Sequence, residues 1–372
     1  MSSYIWQHPD WPQFTYDASS LLTCIDEVSH AQGTVETLLA QLGISEIREL
    51  EARIFTDEIY HSHEIEGEVL EQLKIYSSLC RRLQVPNASM HLSGPHIEGV
   101  VETLLDALKS SLPLTHQRIF SWHRTLFPQN LSGPFIIHAG AYRTESIAVV
   151  SGSFKNEEVL FEAPPAEVVH QHMETFLTWI NAPSAIPDSI RSSIAHLWFL
   201  TIHPFEDGNG RLARTIGDYV LNQHHDSNQV LFSLSTQLKK HQSEYYEQLR
   251  QAQQGNLDCT NWIRWYLGQI REAQERVVET CKRTLQVKHM FERLSFNERQ
   301  CSMLERLTTD FYGSLTTQKW AKLTHCSHDT AMRDIKDLIN KGVLKQSESG
   351  GRSTRYELMF QEKNFPHGFL GQ

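Results

Sequence analysis

The stretch best equipped for chemistry is His203-Pro204-Phe205-Glu206-Asp207-Gly208-Asn209-Gly210-Arg211-Leu212-Ala213-Arg214. Helically spaced apolar residues lead up to it through residues 189–202 and resume at Leu212, Ile216, Tyr219 and Val220, so it reads as a turn between two helices. Two glycines in such a turn permit positive φ and close approach of backbone to a ligand, and the first N–H groups of the next helix point outward unpaired. Together these make an anion site out of main chain. Arg211 and Arg214, three apart, share a helix face and suit phosphate oxygens. Asp207 offers the hard oxygen that Mg2+ takes alongside phosphates and waters. His203, fixed at a helix end by Pro204 and Phe205, can accept a proton near neutral pH. The fragment Gly208-x-Gly210-x-x-Ala213 follows a helix rather than a strand and lacks a surrounding βαβ unit, which argues against a dinucleotide fold.

The stretch matches the pattern H-P-F-x-[DE]-G-N-G-R-x-x-R at every specified position and thereby resembles the Fic family. The resemblance implies a protein adenylyltransferase that moves AMP from ATP to a Ser, Thr or Tyr hydroxyl of target proteins or of itself, releasing diphosphate. On it, His203 is the general base and Asp207 binds Mg2+. Gly208, Asn209 and Gly210 cradle the α- and β-phosphates, Arg211 and Arg214 hold β and γ, and Phe205 adjoins the nucleotide.

A second motif, Ser62-His63-Glu64-Ile65-Glu66-Gly67, puts Ser62 and Glu66 on one face of a predicted helix. It resembles the inhibitory [ST]-x-x-x-E-[GN] motif of Fic proteins that carry this helix N-terminal to the core, which implies that Glu66 pairs with Arg214 and blocks the productive γ-phosphate pose. Two rival readings keep the same site: removal of AMP from modified targets, with Glu66 orienting a water, and nucleotide sensing by a transcriptional regulator.

Other elements must position this turn. Glycines at 133, 140 and 152 bracket the β-rich Ser146–Val150, which reads as a strand of a hairpin. By resemblance this is the flap that registers a target segment through strand addition, with Val150, Ser151 and Gly152 nearest the nucleotide. Tyr245, Tyr246 and Gln253 resemble the family's paired-tyrosine helix lining the adenine and ribose pocket. Trp198 and Phe199 read as core. The pairs His61/His63 and His224/His225 lack i, i+4 spacing and a third ligand, so they read as solvated or packed rather than metal-binding.

The fold class expected is all-α: a Fic-type helical core with a β-hairpin flap and a C-terminal winged helix-turn-helix. The expected domains are an N-terminal helical region over 1–95 with the inhibitory helix near 55–68, a catalytic core over 96–285, and a winged unit over 295–372. That last unit is read from a helix at Thr317–Thr324, a second at Asp329–Lys341, and a glycine-tipped hairpin at Val343–Leu358. Arg333, Lys336, Lys341, Arg352 and Arg355 give it basic residues, but Asp329, Asp334 and Asp337 interrupt the face, leaving DNA, another protein or a second copy of the chain as partners.

With 372 residues, several cores are expected, and the net charge of −10 disfavours polyanion binding over most of the surface. No apolar run is long enough to span a membrane and no secretory pattern opens the chain, so a cytoplasmic protein is expected. The six scattered cysteines, without a C-x-x-C pair, are expected to be reduced thiols.

Overall fold

A computed structural model of the chain describes residues 4–86, 91–153, 156–223, 231–309, 314–347 and 354–359, with side chains throughout except at 150–158, 305, 308 and 309. The chain divides into two compact units, Met1–Val277 and Val278–Gln372. The expected break near residue 95 is therefore interior to the first unit, because the N-terminal helices pack against the later ones.

In the first unit, α1 (Ala18–Leu39), α2 (Ile44–Ile65), α3 (Gln72–Leu83), α4 (Pro95–Lys109) and α5 (His116–Leu126) precede two small hairpins. The hairpins are β1 (Leu131–Ser132) with β2 (Phe135–Ile136), and β3 (Ala148–Ser153) with β4 (Asn156–Glu162), both antiparallel. Then follow α6 (Ala166–Asn181), α7 (Asp188–Ile202), α8 (Asn209–Asn222), α9 (Leu234–Lys240), α10 (Gln242–Gln254) and α11 (Thr260–Arg293), whose end belongs to the second unit.

The centre is α7, in which every residue from Ile190 to Ile202 is buried. A helix surrounded on all sides must satisfy its own polar groups. Arg191 donates to the carbonyls of Trp179, Ile180 and Ala182, Ser192 to that of Gly217, and the Nε2 of His196 meets the Tyr245 hydroxyl at 2.9 Å. Trp198 and Phe199 are core residues as expected.

Several termini follow from local chemistry. The Asp17 carboxylate caps α1 by accepting from the N–H groups of Ser19 and Ser20, and the Thr115 hydroxyl caps α5 by accepting from that of Arg118. α2 ends in a Schellman turn: Gly67, at φ +79°, donates to Glu64 O, and Glu68 N–H reaches back to His63 O at 3.0 Å. Only a residue tolerant of positive φ ends the helix this way, which makes Gly67 the reason that Glu66 and Glu68 leave α2 where they do.

The N-terminal aromatic segment straps the first unit. Tyr4 packs edge-on against Phe161, the Trp6 indole N–H donates to Glu162 O at 2.8 Å, and Phe14 lies against Trp198.

In the second unit, α12 (Glu298–Thr309), α13 (Thr317–Leu323), α14 (His328–Asn340) and the hairpin β5 (Leu344–Gln346) with β6 (Tyr356–Leu358) enclose a core that includes Trp320, Ile335 and Leu338. Asp334 is buried and accepts from Asn297 and Arg299, while Lys341 donates to Asp337. The expected wing residue Arg352 and the pair His224/His225 lie outside the described residues. All six cysteines are free thiols, and among the described residues no helix is long and apolar enough to cross a membrane.

Candidate active site

The turn joining α7 to α8 is held from both sides. His203 ends α7 in the left-handed region at φ +51°, and Gly208 opens α8 at φ +79°, where a Cβ would meet the Phe127 ring at 2.8 Å. Asn209 is buried, and its side chain staples the turn. Its Oδ1 accepts from Phe205 N–H at 3.0 Å, and its Nδ2 donates to Phe205 O at 2.8 Å. Asn209 can therefore offer a ligand only its main chain. The Phe205 ring faces inward, fully buried and stacked on His123 at 4.0 Å, so it supports the turn from beneath.

Two residues absent from the sequence-based set fix the outer side of the turn. The His123 Nε2–H donates to Asp207 O at 3.0 Å, while its Nδ1 accepts from Gly140 N–H at 2.8 Å. Acceptance at Nδ1 requires a neutral ring, and burial pulls the His123 pKa down to about 4. Arg143 is buried, and its guanidinium donates to the carbonyls of His203, Glu145 and Pro164. Its own N–H donates to Pro204 O at 2.9 Å, so the approach to β3 is tied directly to the α7–α8 turn. Neither residue carries a local sequence signal, since each acts on a partner about 60 or more positions away.

His203 is half-buried with Nδ1 3.3 Å from Leu200 O, so Nδ1 carries the proton and Nε2 keeps a free lone pair. Burial, with the Arg143 charge in the same direction, lowers its pKa from 6.5 to about 4. The base-competent form is therefore present above about pH 4 and is lost as pH falls through that value. The acid limb of kcat/KM is expected well below pH 6.5; a break at the ordinary histidine value would mean that this environment does not control the base.

Asp207 faces the turn's exterior, with Oδ1 accepting from Gly208 N–H at 2.5 Å and Oδ2 bonded to the Ser132 hydroxyl. Its side chain is 40% exposed, beside the first N–H groups of α8, and it suits a hard divalent cation.

Arg211 and Arg214 are both buried, and both are occupied by the segment that ends α2. Arg214 donates through Nε to Ser62 Oγ at 2.9 Å and through Nη2 to Ser62 O at 2.7 Å and Glu66 Oε1 at 2.8 Å. Arg211 donates to Glu68 Oε2 at 2.7 Å and lies over the Phe127 ring. A Cβ on Gly210 would overlap the Glu66 carboxylate, so glycine there gives that carboxylate its space. Glu68 was not foreseen, because a carboxylate two places beyond Glu66 has no meaning until Arg211 is seen beside it.

The remaining expected contacts spread out. Val150, Ser151 and Gly152 lie on β3, paired with Val159, Glu158 and Glu157 after a bulge, and their side chains are outside the described set. Tyr245 is buried, with its hydroxyl on His196 and its ring stacked on Trp265, whereas Tyr246 is 42% exposed. Gln253 is buried near Thr201.

Residues 113–221 match the family model of the Fic/DOC family, and residues 4–85 match a domain of unknown function, DUF4172. A protein adenylyltransferase Fic from Nematostella vectensis is 26% identical over 228 residues, covering 59% of this chain and 47% of that protein. A probable protein adenylyltransferase from Aquifex aeolicus is 26% identical over 234 residues, covering 60% of this chain and 66% of that protein. The chain thus spans between about half and two thirds of these relatives' lengths. Among solved structures, a Fic family protein from Desulfovibrio desulfuricans shares the fold with a TM-score of 0.56 at 20% identity, covering 94% of this chain and 98% of that one. Fic-1 from Caenorhabditis elegans gives a TM-score of 0.51 at 19% identity, covering 73% of this chain and 76% of that one. The signature turn and its helical frame thus lie within the region, residues 113–221, that matches the Fic/DOC family model, and the chain shares its fold with solved Fic structures.

Proposed function

We propose that this protein is an adenylyltransferase that moves AMP from ATP to hydroxyl groups of target proteins and of itself, restrained by Glu66. The observation that carries the reading is the meeting, at one turn, of an imidazole with a free Nε2 and two guanidinium groups already engaged by carboxylates.

In the transfer, an acceptor oxygen bonds to the α-phosphorus and gives its proton to His203 Nε2. The bond from the α-phosphorus to the bridging oxygen breaks, and diphosphate leaves with the electron pair. The main-chain N–H groups that open α8 face the phosphate charge, and Arg211 and Arg214 grip the β and γ oxygens. Asp207 is the residue to hold Mg2+, which when bound neutralises phosphate charge. Glu66 competes with the γ-phosphate for the Arg214 donors, so ATP entering against it lies in an unproductive pose. The β3–β4 hairpin offers main chain for a target segment to pair with, and Tyr246 and Gln253 serve the adenosine side. In the second unit the helix-turn-helix and hairpin order supports a winged helix. Its partner is read as protein, because Asp334 and Asp337 engage Arg299 and Lys341.

Incubation with ATP and Mg2+ followed by intact-mass measurement is expected to add whole adenylyl groups, with fragmentation locating them on Ser, Thr or Tyr. An unchanged mass in both the wild type and Glu66→Gly would remove the reading.

A further inference from the structure

Where α2 ends beside α4, one nitrogen of a buried imidazole is left without a hydrogen bond. His63 is only 4% exposed; its Nδ1–H donates to Ile59 O at 2.8 Å, and its Nε2 has no hydrogen bond among the described residues. A buried nitrogen without a hydrogen bond is open to an occupant such as water or an ion. Nε2 stands 3.9 Å from Glu68 Oε2, while Glu68 Oε1 stands 3.7 Å from Nδ1 of His96, near the start of α4. One ligand atom from each of the three residues lies within 4.8 Å of the others. No hydrogen bond reaches the buried Nε2 of His96 either.

From this geometry we infer that His63, Glu68 and His96 form a site for a divalent transition-metal ion of the zinc class, completed by water. The donor set of two imidazoles and a carboxylate is one that zinc favours, and a main-chain acceptor on the far nitrogen of His63 is the arrangement that fixes a ligand ring. Zinc bonds of about 2.0–2.2 Å set tetrahedral ligands roughly 3.3–3.5 Å apart, so the 3.7 Å between Glu68 Oε1 and His96 Nδ1 needs to close by only a few tenths of an ångström, while the three ligand atoms, within 4.8 Å of one another, draw together around the ion. Glu68, 33% exposed and next to Gly67, has the freedom to supply that movement.

The carboxylate also decides how the site tolerates Arg211. Oε2 stays on the guanidinium and Oε1 turns to the ion, so one negative group bridges two cations. An ion here ties the end of α2 to α4 and holds Glu68 on Arg211. Its effect on the brake rests on the adenylyltransferase reading, whereas the site itself does not.

The test uses the full chain and metal alone, without nucleotide. Titration with Co2+ is expected to give a saturable visible absorption band of tetrahedral intensity, with one ion per chain, displaced by Zn2+. His96→Ala and His63→Asn, each checked for retained fold by circular dichroism, are expected to weaken binding by about tenfold or more. No saturable band in the wild type, or a band unaltered in both variants, would overturn the site while leaving the enzymatic reading intact.

Discussion

His203→Asn is expected to reduce AMP transfer by roughly 10²–10⁴-fold, the range over which a positioned general base acts. Asparagine is the replacement of choice because position 203 sits at φ +51°, a region that Asn enters more readily than Ala. The loss then reports on the base rather than on strain in the turn. Both enzymes are best compared in a Glu66→Gly background, where label from α-labelled ATP is strong enough to quantify the fall. Circular dichroism is expected to match the parent. Label retained at the parental rate would mean that another group takes the proton, and the role of Nε2 would have to be given up.

The second large effect has the opposite sign. Glu66→Gly removes the carboxylate from Arg214 Nη2 and leaves the Ser62 contacts in place. A hydrogen bond between charged groups is worth about 1.5–3 kcal/mol, so the productive pose should gain roughly 10- to 150-fold in population. Self-modification with labelled ATP is expected to rise within that range. Arg211 remains held by Glu68, so the release is partial. A variant no faster than wild type would leave the Glu66–Arg214 pair as a structural ion pair only.

Much of this was legible in the residues themselves because the information is local. A twelve-residue stretch spanning the α7–α8 turn carries a histidine, an aspartate, two arginines and the glycines that let the backbone come close. Helical periodicity located α7 at Asp188–Ile202 to within about one residue of expectation. The Ser62/Glu66 spacing put both residues on one helix face, and the motif's resemblance named Glu66 as the partner of Arg214, to which the structure adds Ser62.

What only the tertiary structure decided concerns partners distant in sequence. Arg143 and His123 brace the α7–α8 turn through main-chain carbonyls, which any sequence supplies equally and none advertises. His63 has no third ligand within its own helix; His96 reaches it only because α4 packs beside the end of α2. Glu68 became the partner of Arg211 for the same reason, and Tyr245 proved more deeply buried than Tyr246 because α10 turns it toward His196. Spacing along the chain determines which groups share a turn or a face, whereas burial and long-range hydrogen bonding depend on how faces meet, and that is fixed only when the helices pack.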